Sequence, residues 1–230
     1  MSNDKSNCRP LFRIAVLLVC AIVIFLALNT LYSFTNTLNQ LDVIESERDQ
    51  WQRPSDVLRA LHLREGNTVV DLGSGAGYFS LKLFPAVGKR GQVIAVDLRR
   101  LSLFFLYTRA LLRGQSNLHV VVGDKDNPRL PTSTVDAVLI CNTYHEFRNP
   151  ELILNHVFQS LRRGGHLVVV DRAPRATEAE HAHEMPLAVV EGELRQKGFE
   201  IVSQDDHFIG QRGNDQPGND SWWLLDAQKP

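Results

Sequence analysis

The chain has 230 residues, of which 43% are hydrophobic and 22% charged, with a formal net charge of -1. Those proportions describe a globular protein rather than a disordered one, and the near-neutral total gives no sign of a nucleic-acid partner. The three cysteines, Cys8, Cys20 and Cys141, have no CxxC spacing, which excludes a disulfide framework and a cysteine zinc site, and no metal is expected.

Residues 1–13 form a short N-terminus carrying Lys5, Arg9 and Arg13. Ile14 to Leu28 is then an unbroken apolar run, and with the mixed stretch to Phe34 it can span a hydrocarbon core of roughly 30 Å. A helix of this kind exposes apolar side chains all round, so a transmembrane anchor over 14–34 is expected. A cleaved signal peptide is the rival, but ALNTLYSF offers no clean small-x-small cleavage site. Basic residues precede the span and the next is Arg48, a bias that keeps the N-terminus in the cytoplasm and exports the rest. Residues 35–52 read as a linker or an amphipathic helix.

Pro54 opens a short helix, Ser55 to Leu63. Beyond it, Val- and Ile-rich runs at Thr68 to Asp71, Val93 to Asp97, His119 to Gly123, Ala137 to Cys141 and Leu167 to Val170 are too short for helices and apolar on both faces. That is the pattern of parallel strands covered on both sides. Helical stretches fall between and after them, at Gly77 to Val87, Leu98 to Arg113, Pro150 to Leu161 and Thr177 to Lys197. Phe199 to Ser203 and Trp222 to Asp226 are expected to pair as antiparallel strands. The expectation is one doubly wound α/β domain with a mostly parallel sheet.

The strongest local signal is Asp71-Leu72-Gly73-Ser74-Gly75-Ala76-Gly77, between the first strand and the next helix. Glycines permit a tight turn and close approach of backbone to a ligand. The spacing is GxGxG rather than the GxGxxG of dinucleotide sites. Asp97 ends the second strand, where a carboxylate can accept hydrogen bonds from both ribose hydroxyls. Gly123 and Asp124 follow the third strand and Asn142 the fourth. Any one of these acids is more often a helix cap than a ligand contact. Their recurrence at the carboxyl ends of successive strands marks a ligand edge.

Taken together, VVDLGSGAGYFS, VIAVD, VVVGD, DAVLICNTYHEF and LRRGGHLVVVD resemble the class I S-adenosylmethionine-dependent methyltransferases, from about Trp51 to the C-terminus. The resemblance implies a seven-stranded, Rossmann-like domain over 53–230 that binds S-adenosyl-L-methionine. It implies a glycine turn against the methionine part, Asp97 on the ribose, Asp124 near the adenine amino group, and a last antiparallel strand at Trp222-Trp223. Arg162-Arg163-Gly164-Gly165 is then an architectural turn into the fifth strand.

His145 and Glu146, just past the fourth strand, are the candidates for orienting or deprotonating the acceptor, with a hydrogen-bonded structural histidine as the alternative for His145. Tyr144 packs against the cofactor or caps the core, and Asp171 and Arg172 line the acceptor pocket or form a surface ion pair. His181-Ala182-His183-Glu184 is read as a solvated helix face or as a segment whose position resembles one that closes the acceptor pocket in related enzymes, with His183 on the substrate side; a metal pair of His181 and Glu184 is the lesser reading. The helix Leu98 to Arg113 is apolar on most of its circumference, so its outer face either touches lipid or the N-terminal segment or is deeply buried. The expected activity is methyl transfer from S-adenosylmethionine to a small-molecule or lipid-like acceptor at a membrane, with the catalytic domain in the cytoplasm, where the cofactor is made. The rivals are a cofactor-binding protein without catalysis and a nicotinamide-dependent oxidoreductase.

Overall fold

The computed structural model describes residues 8–174, 184–210 and 221–230, and the chain divides into two units, Met1–Glu45 and Ser46–Pro230. Helix α1, Cys8–Asp49, runs unbroken through the stretch read as linker or amphipathic helix. The reason is composition: no Gly or Pro stands between Pro10 and Pro54. Its side chains from Phe12 to Ser33 are exposed on every side. Mean hydropathy reaches 2.9 over an 18-residue window, long and apolar enough by composition to cross a bilayer. Thr30, Thr35 and Thr37 donate to the carbonyls of Leu26, Tyr32 and Ser33, so their hydroxyls need no water.

The second unit begins earlier than residue 53, because Trp51 and Gln52 are packed into it. Gln52 is fully buried and donates to Cys141 Sγ at 3.4 Å, and Trp51 meets Trp222 with ring centroids 5.8 Å apart. The elements that follow are α2 (Pro54–Ala60), β1 (Thr68–Leu72), α3 (Tyr78–Val87), β2 (Gln92–Asp97), α4 (Arg100–Leu112), β3 (Leu118–Val122) and β4 (Val135–Cys141). A 3-10 turn over Tyr144–Glu146 leads to α5 (Pro150–Ser160), β5 (Leu161–Arg172), α6 (Leu187–Lys197), β6 (Glu200–Ile209) and β7 (Trp222–Gln228).

These strands form one seven-stranded sheet in the order β3-β2-β1-β4-β5-β7-β6. The first five run parallel, and β7 lies antiparallel between β5 and β6. Alternate residues feed two cores. Val69, Ala95, Leu139 and Val168 join the apolar faces of α2, α3 and α4, whereas Val70, Ile140 and Val169 join those of α5 and α6. Burial on both faces explains the unbroken Val and Ile runs.

Two boundaries differ from those read in the sequence. β5 starts at Leu161, so the Arg162–Gly165 stretch belongs to the strand, across a register shift opposite Val135 and Ala137. A Cβ on Gly165 would fall 3.1 Å from the Asp136 carbonyl oxygen, so glycine lets this start of the strand lie against β4. Helix α6 begins after Pro186, whose ring is tolerated at a helix start and not inside one. The chain turns back past β1 between β3 and β4. That reversal opens a crevice at the carboxyl ends of β1 and β4.

Candidate active site

The turn after β1 has three residues in the left-handed region, Gly73, Gly75 and Gly77, with φ of 85°, 53° and 99°. Two of them stand where no side chain fits. A Cβ on Gly73 would lie 2.2 Å from Thr143 Oγ1, and one on Gly77 would lie 2.2 Å from Leu106 Cδ1. The first contact brings β1 and β4 together at the switch point; the second lets α4 pack under the turn. Arg109, buried in α4, donates to the Ala76 carbonyl at 2.7 Å. A Cβ on Gly75, by contrast, would meet nothing within 4 Å.

Asp97 ends β2 and is 6% exposed. Its Oδ2 accepts from the Gly75 amide at 2.8 Å, and its Oδ1 accepts from the Arg99 amide at 2.8 Å and from Arg99 Nε at 3.3 Å. The hydrogen bond to Asp97 raises the pKa of Arg99 further. The carboxylate is therefore aimed before any ligand arrives.

Asp97 lines a cavity of ≈ 490 Å³, within the range of cofactor sites. Gly73, Gly123, Asp124, Thr143 and Glu146 also line it. Asp124 closes a turn, its amide donating to Asn127 O at 2.7 Å. Asn142 holds φ at 55°, a conformation rare for a residue with a side chain. Its Oδ1 and Ser74 Oγ are buried with no hydrogen-bond partner among the described residues. An aimed Asp97 carboxylate, with Gly73, Gly123 and Asp124 along the same wall, is what S-adenosylmethionine requires of this edge, and the residues fit it.

Other expected site residues stand behind this wall. Asp71 is buried, and its Oδ2 accepts from Ser80 Oγ at 2.5 Å. Burial pushes its pKa up to about 6. Tyr144 is fully enclosed, its hydroxyl donating to Glu193 Oε2, and burial pushes its pKa far up; it belongs to the core rather than the cavity wall. The His145 side chain is 3% exposed, with Nδ1 2.8 Å from Asp171 Oδ1, and the His145 amide donates to Asp171 Oδ2 at 3.1 Å. Asp171, also fully buried, accepts from the Arg172 amide at 2.8 Å, so it orients an imidazole instead of facing an acceptor. The Arg172 guanidinium lies over the Trp222 ring, 5.3 Å from its centroid. His181 and His183 lie outside the described residues.

Sequence reading missed Arg99 as the partner of Asp97, Arg109 under the glycine turn, and Ser80 on Asp71. Only the first left a trace, an arginine two residues past the acid. It also missed His62, His166 and Asp226, whose ligand atoms lie within 4.8 Å of one another. There both imidazoles contact the buried Asp226 carboxylate, at 3.2 and 2.9 Å.

A family model described as "Methyltransferase domain" matches residues 63–217. The chain belongs to that family. A ubiquinone/menaquinone biosynthesis C-methyltransferase of Pseudomonas entomophila is 28% identical over 110 residues, 47% of this chain and 43% of that protein. A protein-L-isoaspartate O-methyltransferase of Archaeoglobus fulgidus is 32% identical over 110 residues, 47% of this chain and 48% of that protein. The chain thus spans less than half the length of these curated relatives. Among solved structures, a SAM-dependent methyltransferase from Aquifex aeolicus superposes with a TM-score of 0.67 at 21% identity, over 84% of this chain and 98% of that one. The similarity extends beyond the cofactor half to most of the second unit, and it shares the Rossmann-like fold.

Proposed function

We propose that this methyltransferase-family protein transfers a methyl group from S-adenosylmethionine to a small-molecule or lipid-like acceptor at a membrane. The observation that carries the reading is the Asp97 carboxylate on the cavity wall, held by the Gly75 and Arg99 amides. It accepts the ribose hydroxyls, while the Gly73–Gly77 turn receives the methionine end and Asp124 faces the adenine amino group. Bound there, the cofactor supplies a methyl on a sulfonium that is a good leaving group. Positioning of the acceptor in line then supplies much of the rate. Where the acceptor must lose a proton, Glu146 on the cavity wall receives it, with His145, held by Asp171 behind the wall, as the positioning residue.

The chain is similar both to a ubiquinone/menaquinone biosynthesis C-methyltransferase and to a protein-L-isoaspartate O-methyltransferase, so the acceptor atom is set by the far side of the cavity. Helix α1 favours an acceptor held at the bilayer, through the raised local concentration that a tether provides. The cofactor's location favours the cytoplasmic face for the domain, against the basic residues ahead of the span. Calorimetric titration of the whole chain in detergent, with S-adenosylhomocysteine and with NADH, tests the cofactor. Micromolar binding of the first alone is expected; binding of NADH alone would overturn the reading. A C-terminal fluorescent-protein or alkaline-phosphatase fusion tests the orientation. Phosphatase activity would place the domain outside.

A further inference from the structure

Helix α4 covers the sheet with one narrow face and leaves an apolar face uncovered. Leu103, Leu106, Arg109 and Ala110 point inward. On the opposite side Leu101, Phe104, Leu111 and Leu112 are 67%, 53%, 67% and 72% exposed. Their spacing is that of one helical stripe, with Thr108 between, and Tyr107 and Leu98 at its margins are also more than half exposed. Isolated exposed leucines are ordinary, but a contiguous stripe of this kind marks a binding surface.

Within the helix segment itself the charges are of one sign, and Arg99, just ahead of it, is paired with Asp97. Arg100 opens the helix, Arg113 closes it, and no acidic residue stands between Asp97 and Asp124 in the sequence. An apolar face with arginines along its margins matches the acyl boundary and the anionic headgroups of a bilayer. The same end of the helix borders the cavity, since Leu98 and Arg99 line it.

We propose that the outer face of α4 seats the domain on an anionic bilayer surface, so that the cavity is approached from the lipid side. This rests on reading α1 as a membrane anchor, and its test keeps the two apart. A nitroxide is attached to the full chain at Leu111→Cys, in a Cys8→Ser, Cys20→Ser background, reconstituted in phosphatidylcholine vesicles with and without phosphatidylglycerol. Cys141 is buried, with its thiol pKa pushed up by burial, and does not take the label. A label at the native Cys20 reports the anchor, and one at the exposed Gln204→Cys reports water.

In anionic vesicles the label at 111 is expected to collide several-fold more with oxygen than with a soluble nickel chelate, the reverse of position 204. Leu101→Cys repeats the measurement on the same stripe. Nickel accessibility equal to that at 204 would overturn the proposal, as would shielding from both reagents, which means that protein covers the face. Equal immersion in neutral vesicles would overturn the assignment to anionic lipid. A water-exposed label at Cys20 would sink the anchor reading alone, because position 111 is read independently. Neither measurement depends on turnover.

Discussion

The amide of Gly75 and the carboxylate of Asp97 are joined at 2.8 Å beyond the carboxyl ends of the neighbouring strands β1 and β2. One hydrogen bond thus ties the glycine turn to the acid at the end of the neighbouring strand. Because Arg99 occupies the other oxygen, the carboxylate is held without help from a ligand. Truncation to Asp97→Ala removes charge-assisted hydrogen bonds worth about 1.5–3 kcal/mol. S-adenosylhomocysteine affinity is expected to fall by roughly 10- to 100-fold. Calorimetry that finds the affinity intact would mean that the cofactor sits elsewhere.

Two glycines of the same turn are expected to respond differently to alanine. Gly77→Ala combines a positive φ with a Cβ 2.2 Å from Leu106 Cδ1, so it strains the packing of α4. Gly75→Ala meets open space and costs only the left-handed conformation, about 1–2 kcal/mol. Gly77→Ala should therefore lower the melting temperature markedly, while Gly75→Ala stays folded and binds S-adenosylhomocysteine more weakly because its methyl enters the cradle. Equal melting temperatures would contradict the packing assigned to Leu106.

Asp71 gives a pH dependence of defined sign. Its pKa rises from an ordinary 3.8 to about 6 on folding, chiefly through burial, against the opposing hydrogen bonds from Ser80. The folded state therefore holds the proton more tightly than the unfolded state. Stability from this group is fully present below about pH 4 and is lost as pH rises through 6, in total about 3 kcal/mol. Chemical denaturation at pH 5 and pH 8 should show Asp71→Asn gaining relative to wild type at the higher pH. A constant difference between the two proteins would remove Asp71 as the source.

For His145 the expected signature is a split between binding and turnover. His145→Ala and Asp171→Asn should leave S-adenosylhomocysteine affinity within about twofold, since neither lines the cavity. Turnover with an acceptor that must lose a proton should fall by roughly 10²–10⁴-fold for Glu146→Gln, on the cavity wall, and by less for His145→Ala behind it. Asp171→Asn should fall less and shift the pH–rate profile, as expected when the partner orienting an imidazole changes. A purely structural pair would lower stability and leave the profile of the remaining active fraction unchanged.

Much of the framework was legible because it depends on local chemistry. The Val and Ile runs announced strands buried on both faces, GxGxG announced a turn that only glycine can make, and Asp97 stood at its strand end. The apolar run from Ile14 to Leu28 announced a helix that water does not favour. These features follow from period, composition and backbone sterics, which neighbouring residues impose on one another. What decided the site was tertiary contact. The sequence left Tyr144 between cofactor and core and Asp171 between acceptor pocket and surface ion pair, and it set Asp71 in the ligand turn; the fold encloses all three, because a polar residue at a strand end points to the crevice or the core according to the helix packed over it. Ser80 on Asp71 and His145 on Asp171 are pairs whose geometry exists only once the sheet and the elements around it are assembled, whereas Arg99 reaches Asp97 from two residues away. The outward face of α4 belongs with them: the sequence showed a helix apolar nearly all round, and only packing against the sheet decided which leucines were left uncovered.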